Sequence, residues 1–168
     1  MKLYHGSLVV VKNPEIRISD RYLDFGYGFY TTMNIEQAIK WTAKQKNRKK
    51  IEVGYVSVYD FDIEKAKSEL KIINFDKADK KWLDFVSANR KGECKEEYDV
   101  VIGPVADDGV YEVVRFYEIG VYDLQETLKR LKVEELYNQV LFHTKKALTY
   151  LKYVEMEENK WIKIDFQL

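Results

Sequence analysis

The residues best suited to chemistry lie near the start of the sequence, which reads KLYHGS from residue 2. His5, one of two histidines in the chain, is followed by Gly6 and Ser7, and further along LDFGYGFYTT places Gly26 and Gly28 among aromatic residues. A glycine lets the backbone approach a ligand closely and leaves its amide available as a donor. Together with aromatic faces for stacking, these residue types suit a planar heterocycle that carries an amide or a sugar.

The aromatic residues near the two glycine stretches are the candidates for ring stacking. They are Tyr4, Phe25, Tyr27, Phe29 and Tyr30. A second interpretation is equally open on the residues alone, in which the aromatic side chains form core and the glycines only turn the chain.

Motifs of the common enzyme classes are absent. There is no Gly-x-Ser-x-Gly elbow, no Walker A loop and no His-Glu-x-x-His, and FGYGFY lacks the third glycine and the preceding hydrophobic strand of a dinucleotide fingerprint. Cys94, the single cysteine, would need His5 or His143 beside it to act as a nucleophile, and it lies in a charged stretch. Two histidines and one cysteine, far apart, predict that there is no metal site.

Length and charge limit the function classes further. The 168 residues, 46% hydrophobic and 33% charged, predict a single folded domain over residues 1–168. Lys plus Arg equals Asp plus Glu at 28 each, which argues against nucleic-acid binding by bulk electrostatics. The basic run KQKNRKK, residues 44–50, favours a solvated helix end near the C-terminal dipole, with a local nucleic-acid contact as the alternative.

The sequence also bears on compartment. No apolar run approaches the roughly 20 residues of a membrane helix, and no charged-then-apolar leader precedes the first predicted strand. A single cysteine cannot form an internal disulfide. We therefore expect a cytoplasmic protein without a membrane partner.

The elements that must position these residues follow from hydrophobic periodicity. Helices are predicted over residues 34–45, 79–90, 107–120, 123–131 and 145–153. One strand is predicted over residues 3–4, running on through residues 8–11, and a second is predicted at the end of the stretch 25–32. Further strands are predicted over residues 53–61, 70–75, 98–105, 138–144 and 160–166. Asn34 and Gln37 have the spacing of a capping box at the first helix. The mixture lacks regular βαβ alternation, which favours an α+β fold with a mostly antiparallel or split sheet.

Three stretches resemble, in order, the motifs of the poly(ADP-ribose) polymerase and diphtheria-toxin-like ADP-ribosyltransferases. LYHGS is similar to the first-strand motif, His-Gly followed by Ser or Thr, and FGYGFYTT to the second motif, which delivers a tyrosine. YNQVLFHTKKALTYLKY resembles the third motif, in which a strand beginning Tyr-Asn-Glu leads into a helix. The whole chain, including WLDFVSANR and YDVVIGPVADD, most resembles a small bacterial family of uncharacterised proteins placed beside those transferases. The resemblance implies an ADP-ribosyltransferase-like split antiparallel β-sheet core with surrounding helices.

The resemblance also implies that NAD is the substrate and gives residues their roles. His5 would hydrogen-bond a ribose hydroxyl on the adenosine side, while backbone groups of Gly6 would clamp the nicotinamide carboxamide with help from the Ser7 hydroxyl. Tyr30 would form one wall of the nicotinamide slot. Trp41, eleven residues beyond, has the spacing of the aromatic residue that stacks on the opposite face. A helix residue packed into the core is the alternative interpretation of Trp41.

The chemistry that these roles would serve is cleavage of the bond between nicotinamide and ribose. That bond breaks through an oxocarbenium-like state, much as in glycoside cleavage, and the leaving group is already cationic and needs no acid. Such an enzyme gains by gripping and twisting the ring and by stabilising positive charge on the sugar.

The third motif departs from the family pattern at Gln139, where the family has a glutamate. A glutamine keeps the hydrogen bond to the ribose but supplies no charge, and losing a well-placed stabiliser costs about 10²–10³ in rate. Asp24, Asp107 and Asp108 are the candidate substitutes, although the last two also fit an ordinary helix N-cap.

Three further residues have both a functional and a structural interpretation. Asn89 and Arg90 end a predicted helix and are candidate pyrophosphate contacts, or simply solvated helix-terminal residues. His143 lies four residues after Gln139, on the same face of the predicted strand, and could approach the ribose. A packed core histidine is the alternative.

The sequence therefore favours an NAD-dependent mono-ADP-ribosyltransferase, toxin-like, that acts on an unknown acceptor, a protein or a nucleic acid among others, and has an antitoxin-like partner. The alternatives are a non-catalytic module that binds NAD or ADP-ribose, and an NAD glycohydrolase with water as acceptor. The candidate catalytic residues are His5, Tyr30 and Gln139. The candidate cofactor-binding residues are Tyr4, Gly6, Ser7, Gly28 and Trp41.

Overall fold

The computed structural model describes residues 1–18, 23–94, 97–104, 108–132, 138–154 and 162–165. The strands in this part of the chain are β1 (Lys2–Ser7), β2 (Phe29–Thr32), β3 (Val53–Phe61), β4 (Ile72–Asn74), β5 (Val100–Pro104), β6 (Asn138–Phe142), β7 (Leu151–Tyr153) and β8 (Ile162–Asp165). The helices are α1 (Ile35–Lys49), α2 (Ile63–Glu69), α3 (Lys80–Arg90), α4 (Asp108–Glu118), α5 (Leu124–Leu131) and α6 (Lys145–Leu148).

The strands form one mixed sheet in the order β4-β5-β6-β2-β1-β3-β7, with β8 sharing the outer edge of β3. β7 lies opposite residues 59–61 of β3, and β8 lies opposite residues 53–56. The pair β4–β5 is parallel, and the other strand pairs that the described residues form are antiparallel. The predicted α+β class with a mostly antiparallel sheet is therefore consistent with the structure.

Each face of the sheet carries a hydrophobic cluster, because neighbouring residues of a strand point to opposite sides. On β6, Phe142 belongs to the cluster that includes Ala66 of α2 and Ala147 of α6. Leu141 belongs to the other cluster, which α3, α4 and α5 cover and which contains the fully buried Trp82. The sheet is thus covered by helices on both sides.

Three of the predicted helix starts are confirmed by their caps. The side chain of Asn34 accepts from the amides of Glu36 and Gln37, and Asp79 and Asp123 cap α3 and α5 in the same way. The second half of the predicted capping box is wrong: Gln37 accepts from the Thr32 hydroxyl, and the Asn34 amide donates to Thr32. No helix in the described ranges is long and apolar enough to cross a bilayer.

Two predicted elements are wrong. Residues 8–11 form no strand, because the chain leaves the sheet after Ser7 and the Val11 amide donates to the Ser57 hydroxyl instead. The last predicted helix ends at Leu148, and residues 151–153 form β7, where Tyr153 packs on Tyr59 at a ring distance of 5.9 Å. The sequence interpretation also missed α2, which has only seven residues.

Candidate functional site

The central strand β1 has one closed edge and one open edge. It pairs with β3 at six positions, from Lys2 to Ser7. Towards β2, the described residues pair at one position, where Tyr4 lies opposite Thr32. We call the part beyond that pair the open junction; it consists of residues 5–7 of β1 and 29–31 of β2.

A histidine ring bridges the open junction. Nδ1 of His5 lies 2.7 Å from the carbonyl oxygen of Tyr30, and the ring of Phe29 lies 4.5 Å away. Burial lowers the pKa of His5 from its usual 6.5, so the ring is neutral at pH 7. Because a carbonyl oxygen only accepts, Nδ1 must carry the proton and donate it. Nε2 of His5 is therefore an acceptor, suited to a hydroxyl donor such as a ribose.

The side chain of Tyr30 is held by the glycine-rich stretch before it. Its hydroxyl donates to the carbonyl oxygen of Gly26 at 2.7 Å, and its ring packs against the cluster under α3 and α4. Burial raises the pKa of Tyr30 well above its usual value, so the hydroxyl stays protonated. The ring is thus fixed in position at the open junction.

The glycine loop, residues 24–28, is tied to the body of the protein along its length. Gly26 has φ of 88°, a conformation that favours glycine, and a Cβ on Gly28 would lie 2.3 Å from the carbonyl oxygen of Phe142. Phe25, which precedes them, is fully buried. The two loop glycines are therefore required by backbone geometry and packing, as the structural interpretation of this stretch predicted.

Three polar residues lie against this loop from outside. Arg90 Nε pairs with Asp24 at 2.6 Å, and the guanidinium stacks on Tyr111 with 4.4 Å to the ring centre. The ring of His143 packs edge-on against Tyr27, with 5.7 Å between the ring centres, and burial lowers its pKa. A Cβ on Gly26 would lie 3.1 Å from the side-chain oxygen of Asn89. Arg90 therefore anchors the loop through its ion pair, while His143 and Asn89 lie against the loop.

Gly6 lies directly under helix α1. A Cβ there would come within 2.2 Å of the Ala38 carbonyl oxygen and 2.5 Å of the Thr42 hydroxyl. The carbonyl oxygen of Gly6 accepts a hydrogen bond from the side-chain amide of Gln45 at 3.4 Å. The side-chain carboxamide of Gln45 thus already binds the backbone of Gly6, which the sequence interpretation assigned to the carboxamide of nicotinamide.

One side of α1 borders the open junction. Gln37, Trp41 and Gln45 are spaced at i, i+4 and i+8, so they form a stripe along the helix. Gln37 at one end accepts from the Thr32 hydroxyl, and Gln45 at the other end donates to Gly6. Trp41 lies between these two contacts, and 54% of its surface is exposed. The alternative that Trp41 is a packed core residue is therefore wrong.

Gln139 lies on β6 where β2 meets β1. It is opposite Thr32 of β2 and Gly103 of β5, and it is half-buried. Of the acids considered as substitutes for a glutamate, Asp24 is already paired with Arg90. Asp107 lies outside the described residues, and for Asp108 the structure describes the backbone start of α4 alone.

The remaining predicted residues lie at the border of this region. Tyr4 is half-buried at the last β1–β2 pair, next to Gly6. The Ser7 hydroxyl donates to the Val9 carbonyl at 2.5 Å, which ends β1 in a local turn. Among the described residues, no group of three or more His, Cys, Asp or Glu side chains could hold a metal ion.

The sequence interpretation missed two residues at this site, Gln37 and Gln45. Their spacing of four residues on either side of Trp41 was the available signal, since such residues share one side of a helix. Their partners, Thr32 and Gly6, depend on how α1 docks on the sheet, which helical spacing alone does not determine.

A comparison with protein families finds one match, to the family described as "Protein of unknown function (DUF3990)", over residues 1–153. That range contains β1 to β7 and all the residues of the open junction. No curated protein and no solved structure matches the chain.

Proposed function

The chain belongs to the DUF3990 family, and we propose that this member is an NAD-dependent mono-ADP-ribosyltransferase with an ADP-ribosyltransferase-like fold. The observation that carries the proposal is the open junction. There, unpaired strand edges lie beside a neutral histidine, a fixed tyrosine and an exposed tryptophan. These are the groups needed to hold an aromatic amide and a ribose at the same place.

The nicotinamide carboxamide would take the place of the Gln45 amide at the Gly6 carbonyl. Both are primary carboxamides, so the same hydrogen bond can form with either one. The nicotinamide ring would lie between Tyr30, held by Gly26, and Trp41 on α1. Nε2 of His5 would accept from a ribose hydroxyl, since Nδ1 is engaged by the Tyr30 carbonyl.

In the reaction, the bond between ribose C1 and the pyridinium nitrogen breaks, and its electron pair stays with nicotinamide, which leaves neutral. The ribose carries the positive charge in the transition state. An oxygen or nitrogen of the acceptor then bonds to C1 and loses its proton. The side-chain oxygen of Gln139 would accept from a ribose hydroxyl and stabilise the cation through its dipole.

A dipole stabilises a cation less than a full charge does, so Gln139 predicts a slow enzyme. Removal of one preorganised electrostatic stabiliser costs about 10²–10³ in rate. Asp24 does not make up the difference, because its carboxylate is bound to Arg90. A toxin-like role in the cytoplasm, with an antitoxin-like partner, belongs to the same proposal and stays a prediction of the sequence resemblance.

The test is release of nicotinamide from NAD by the purified protein, followed by chromatography. We expect His5→Ala and Tyr30→Ala to abolish release while the proteins stay folded by circular dichroism. Tyr30→Phe is the matched control, because it keeps the ring and removes the hydroxyl that bonds Gly26. We expect Tyr30→Phe to retain most of the activity.

Other results would identify the alternatives. NAD or ADP-ribose binding without nicotinamide release would indicate a binding module, which Gln139 specifically favours because a binder needs no carboxylate there. Free ADP-ribose equal in amount to nicotinamide would indicate a glycohydrolase. Neither release nor binding would contradict the proposed function.

A further inference from the structure

Arg90, the last residue of α3, is bound to the protein through one edge and one face of its guanidinium. Nε lies 2.6 Å from the Asp24 carboxylate, and the guanidinium carbon lies 4.4 Å from the ring centre of Tyr111. The side chain is 9% exposed, so the interpretation of Arg90 as a solvated helix end is wrong. Nη1 and Nη2 are buried, and neither has a hydrogen-bond partner in the part of the chain that the structure describes.

A second arginine has the same two contacts and differs in burial. Nε of Arg130 lies 2.6 Å from Glu126, and its guanidinium carbon lies 4.4 Å from the ring centre of Tyr122. The Arg130 side chain is 46% exposed, so water can accept from its remaining N–H groups. The corresponding N–H groups of Arg90 are out of reach of bulk water, and burying a donor without an acceptor is costly. Arg90 therefore requires an acceptor where Arg130 does not.

The geometry of the guanidinium defines the kind of acceptor. Asp24 binds at Nε and the Tyr111 ring covers one face, which leaves the edge formed by Nη1 and Nη2. The parallel N–H groups of that edge match two oxygens of one phosphate or carboxylate group. Tyr111 is 51% exposed, so the guanidinium lies directly under a surface residue, and movement of that side chain can admit a ligand.

The glycine loop links this edge to the proposed nicotinamide slot. Asp24 is the first residue of that loop, and the Gly26 carbonyl holds the Tyr30 hydroxyl at 2.7 Å. Burial and, to a smaller extent, the charge of Asp24 raise the pKa of Tyr30, so the carboxylate acts on that hydroxyl. The Arg90 guanidinium, which binds Asp24, therefore lies one side chain away from the slot wall.

We propose that Nη1 and Nη2 of Arg90 bind the pyrophosphate of NAD while the nicotinamide ring occupies the slot beside Tyr30. The inference rests on the proposed function. The pyrophosphate is attached to C5 of the ribose that carries nicotinamide, so it is the anionic group nearest to the ring. The Asp24 carboxylate holds the guanidinium in place but also repels the phosphates, because like charges at short range disfavour each other. These opposing effects can be separated by experiment.

The experiment measures binding of ADP-ribose by calorimetry at low and constant salt, with adenosine as a probe that lacks phosphate. ADP-ribose carries the pyrophosphate but no nicotinamide, so its binding is measured without the reaction. Inorganic pyrophosphate, titrated separately, distinguishes a nucleotide site from a site for a free anion. The variants are Asp24→Asn, Arg90→Gln and the double variant Asp24→Asn/Arg90→Gln. The double variant leaves two neutral amides, in case Arg90→Gln alone disturbs folding by leaving the Asp24 charge unpaired.

We expect Asp24→Asn to bind ADP-ribose about three- to tenfold more tightly, because a negative charge beside the phosphates is removed while Arg90 stays. Loss of hydrogen bonds from a charged donor should make Arg90→Gln bind at least about tenfold more weakly than the wild type. For the same reason the double variant should bind at least about tenfold more weakly than Asp24→Asn. Adenosine has no phosphate, so its affinity should stay the same in all three variants.

The matched controls are Glu126→Gln and Arg130→Gln, which make the same charge changes in the exposed pair of equal geometry. Both should leave the affinity for ADP-ribose unchanged. If Arg90 served the loop alone, Asp24→Asn and Arg90→Gln would both weaken binding, and that result would overturn the inference. Equal effects on adenosine, equal effects of the controls, or a wild type that binds inorganic pyrophosphate or no phosphate probe but not ADP-ribose would also overturn it.

Nicotinamide release separates this inference from the proposed function. ADP-ribose binding that responds to the Asp24 and Arg90 variants as expected, without nicotinamide release from NAD, would contradict the transferase proposal alone. Nicotinamide release by the wild type, with an ADP-ribose affinity that neither charge affects, would contradict the assignment of Arg90 alone.

Discussion

Strand β1 meets its two neighbours in different ways. Towards β3 it pairs along its whole length, and Gly54 on that side lets α1 approach the sheet. Towards β2 the described residues pair once, and side chains take over: His5 bonds the Tyr30 carbonyl and Gln45 bonds the Gly6 carbonyl. A buried backbone group must find a partner. Where side chains bind the backbone groups of a strand edge, a ligand can displace those side chains. Where a neighbouring strand binds the backbone groups, a ligand cannot displace it.

The largest effect that we expect at the β2 side of β1 is on the rate of nicotinamide release, and it comes from Gln139, beside the β1–β2 pair. In Gln139→Glu a carboxylate replaces the amide, and we expect nicotinamide release to rise about 10²–10³-fold. The control is Gln125→Glu, which adds the same charge at an exposed position of α5. If release is unchanged in Gln139→Glu, the residue does not act on the ribose.

Two glycines under α1, Gly6 on β1 and Gly54 on β3, allow the two sides to be compared through the free energy of unfolding of their alanine variants. Gly6→Ala places a Cβ 2.2 Å from the Ala38 backbone oxygen, so α1 must move, and we expect a loss of about 1–3 kcal/mol in the free energy of unfolding. Gly54→Ala meets the Thr42 methyl at 2.1 Å, which is a side chain. Chemical denaturation measures both losses.

A second substitution separates the two causes. Thr42→Ser removes that methyl group, so it should relieve Gly54→Ala and leave Gly6→Ala unrelieved, because the Ala38 oxygen remains. Equal relief of the two alanine variants would contradict the account of Gly6 as a backbone contact.

The pH dependence of stability tests the histidine at the open edge. Burial lowers the pKa of His5 and of His143, so the folded state binds fewer protons than the unfolded state when the pH falls below about 6.5. Their contribution is fully present above that value and is lost as the pH falls, by at most about 1.4 kcal/mol per pH unit for each histidine. Urea unfolding at pH 7 and pH 5 measures it.

His5→Gln and His143→Gln should each reduce the difference between the two pH values. A difference as large as in the wild type in both variants would mean that neither histidine is held neutral by burial. The carboxylates titrate in all three proteins and so cancel in this comparison.

The smallest effect concerns Gln45. Its bond to the Gly6 carbonyl is long, at 3.4 Å, and a hydrogen bond contributes about 0.5–1.5 kcal/mol net. A ligand carboxamide must displace it, so Gln45→Ala should bind NAD about two- to tenfold more tightly by calorimetry. Gln125→Ala is the control, and weaker NAD binding by Gln45→Ala would mean that Gln45 supports the ligand rather than competing with it.

The fold was predictable where a local signal was strong. Asn34, Asp79 and Asp123 marked helix starts that the structure confirms, and the long alternating stretch 53–61 is β3. Short helices and strands were not predicted, because hydrophobic periodicity can be recognised only over a longer stretch of sequence. The three residues of β7 became a strand through pairing with β3, and propensity alone gave no sign of it.

The candidate site was predictable by residue type but not by contact. The exposure of Trp41 agrees with its proposed role as a slot wall, whereas Arg90 pairs with Asp24 and His143 packs against Tyr27 of the glycine loop. Strand alternation suggested a common face for Gln139 and His143, but β6 ends at Phe142, so His143 lies outside the strand whose alternation was used. Contacts of this kind depend on tertiary packing, which no sequence spacing encodes.

The pairing of β2 with β6 has a consequence for the order of events during synthesis. The hydroxyl of Thr31 bonds the Val140 carbonyl 109 residues later in the chain. At about 5–20 residues per second, a ribosome takes about 5–20 s to deliver β6 after β2 has been made. Until then, one side of the open junction has no strand to support it. A nascent chain that lacks β6 is therefore unable to complete the slot, and any activity of this site must begin after β6 has been made.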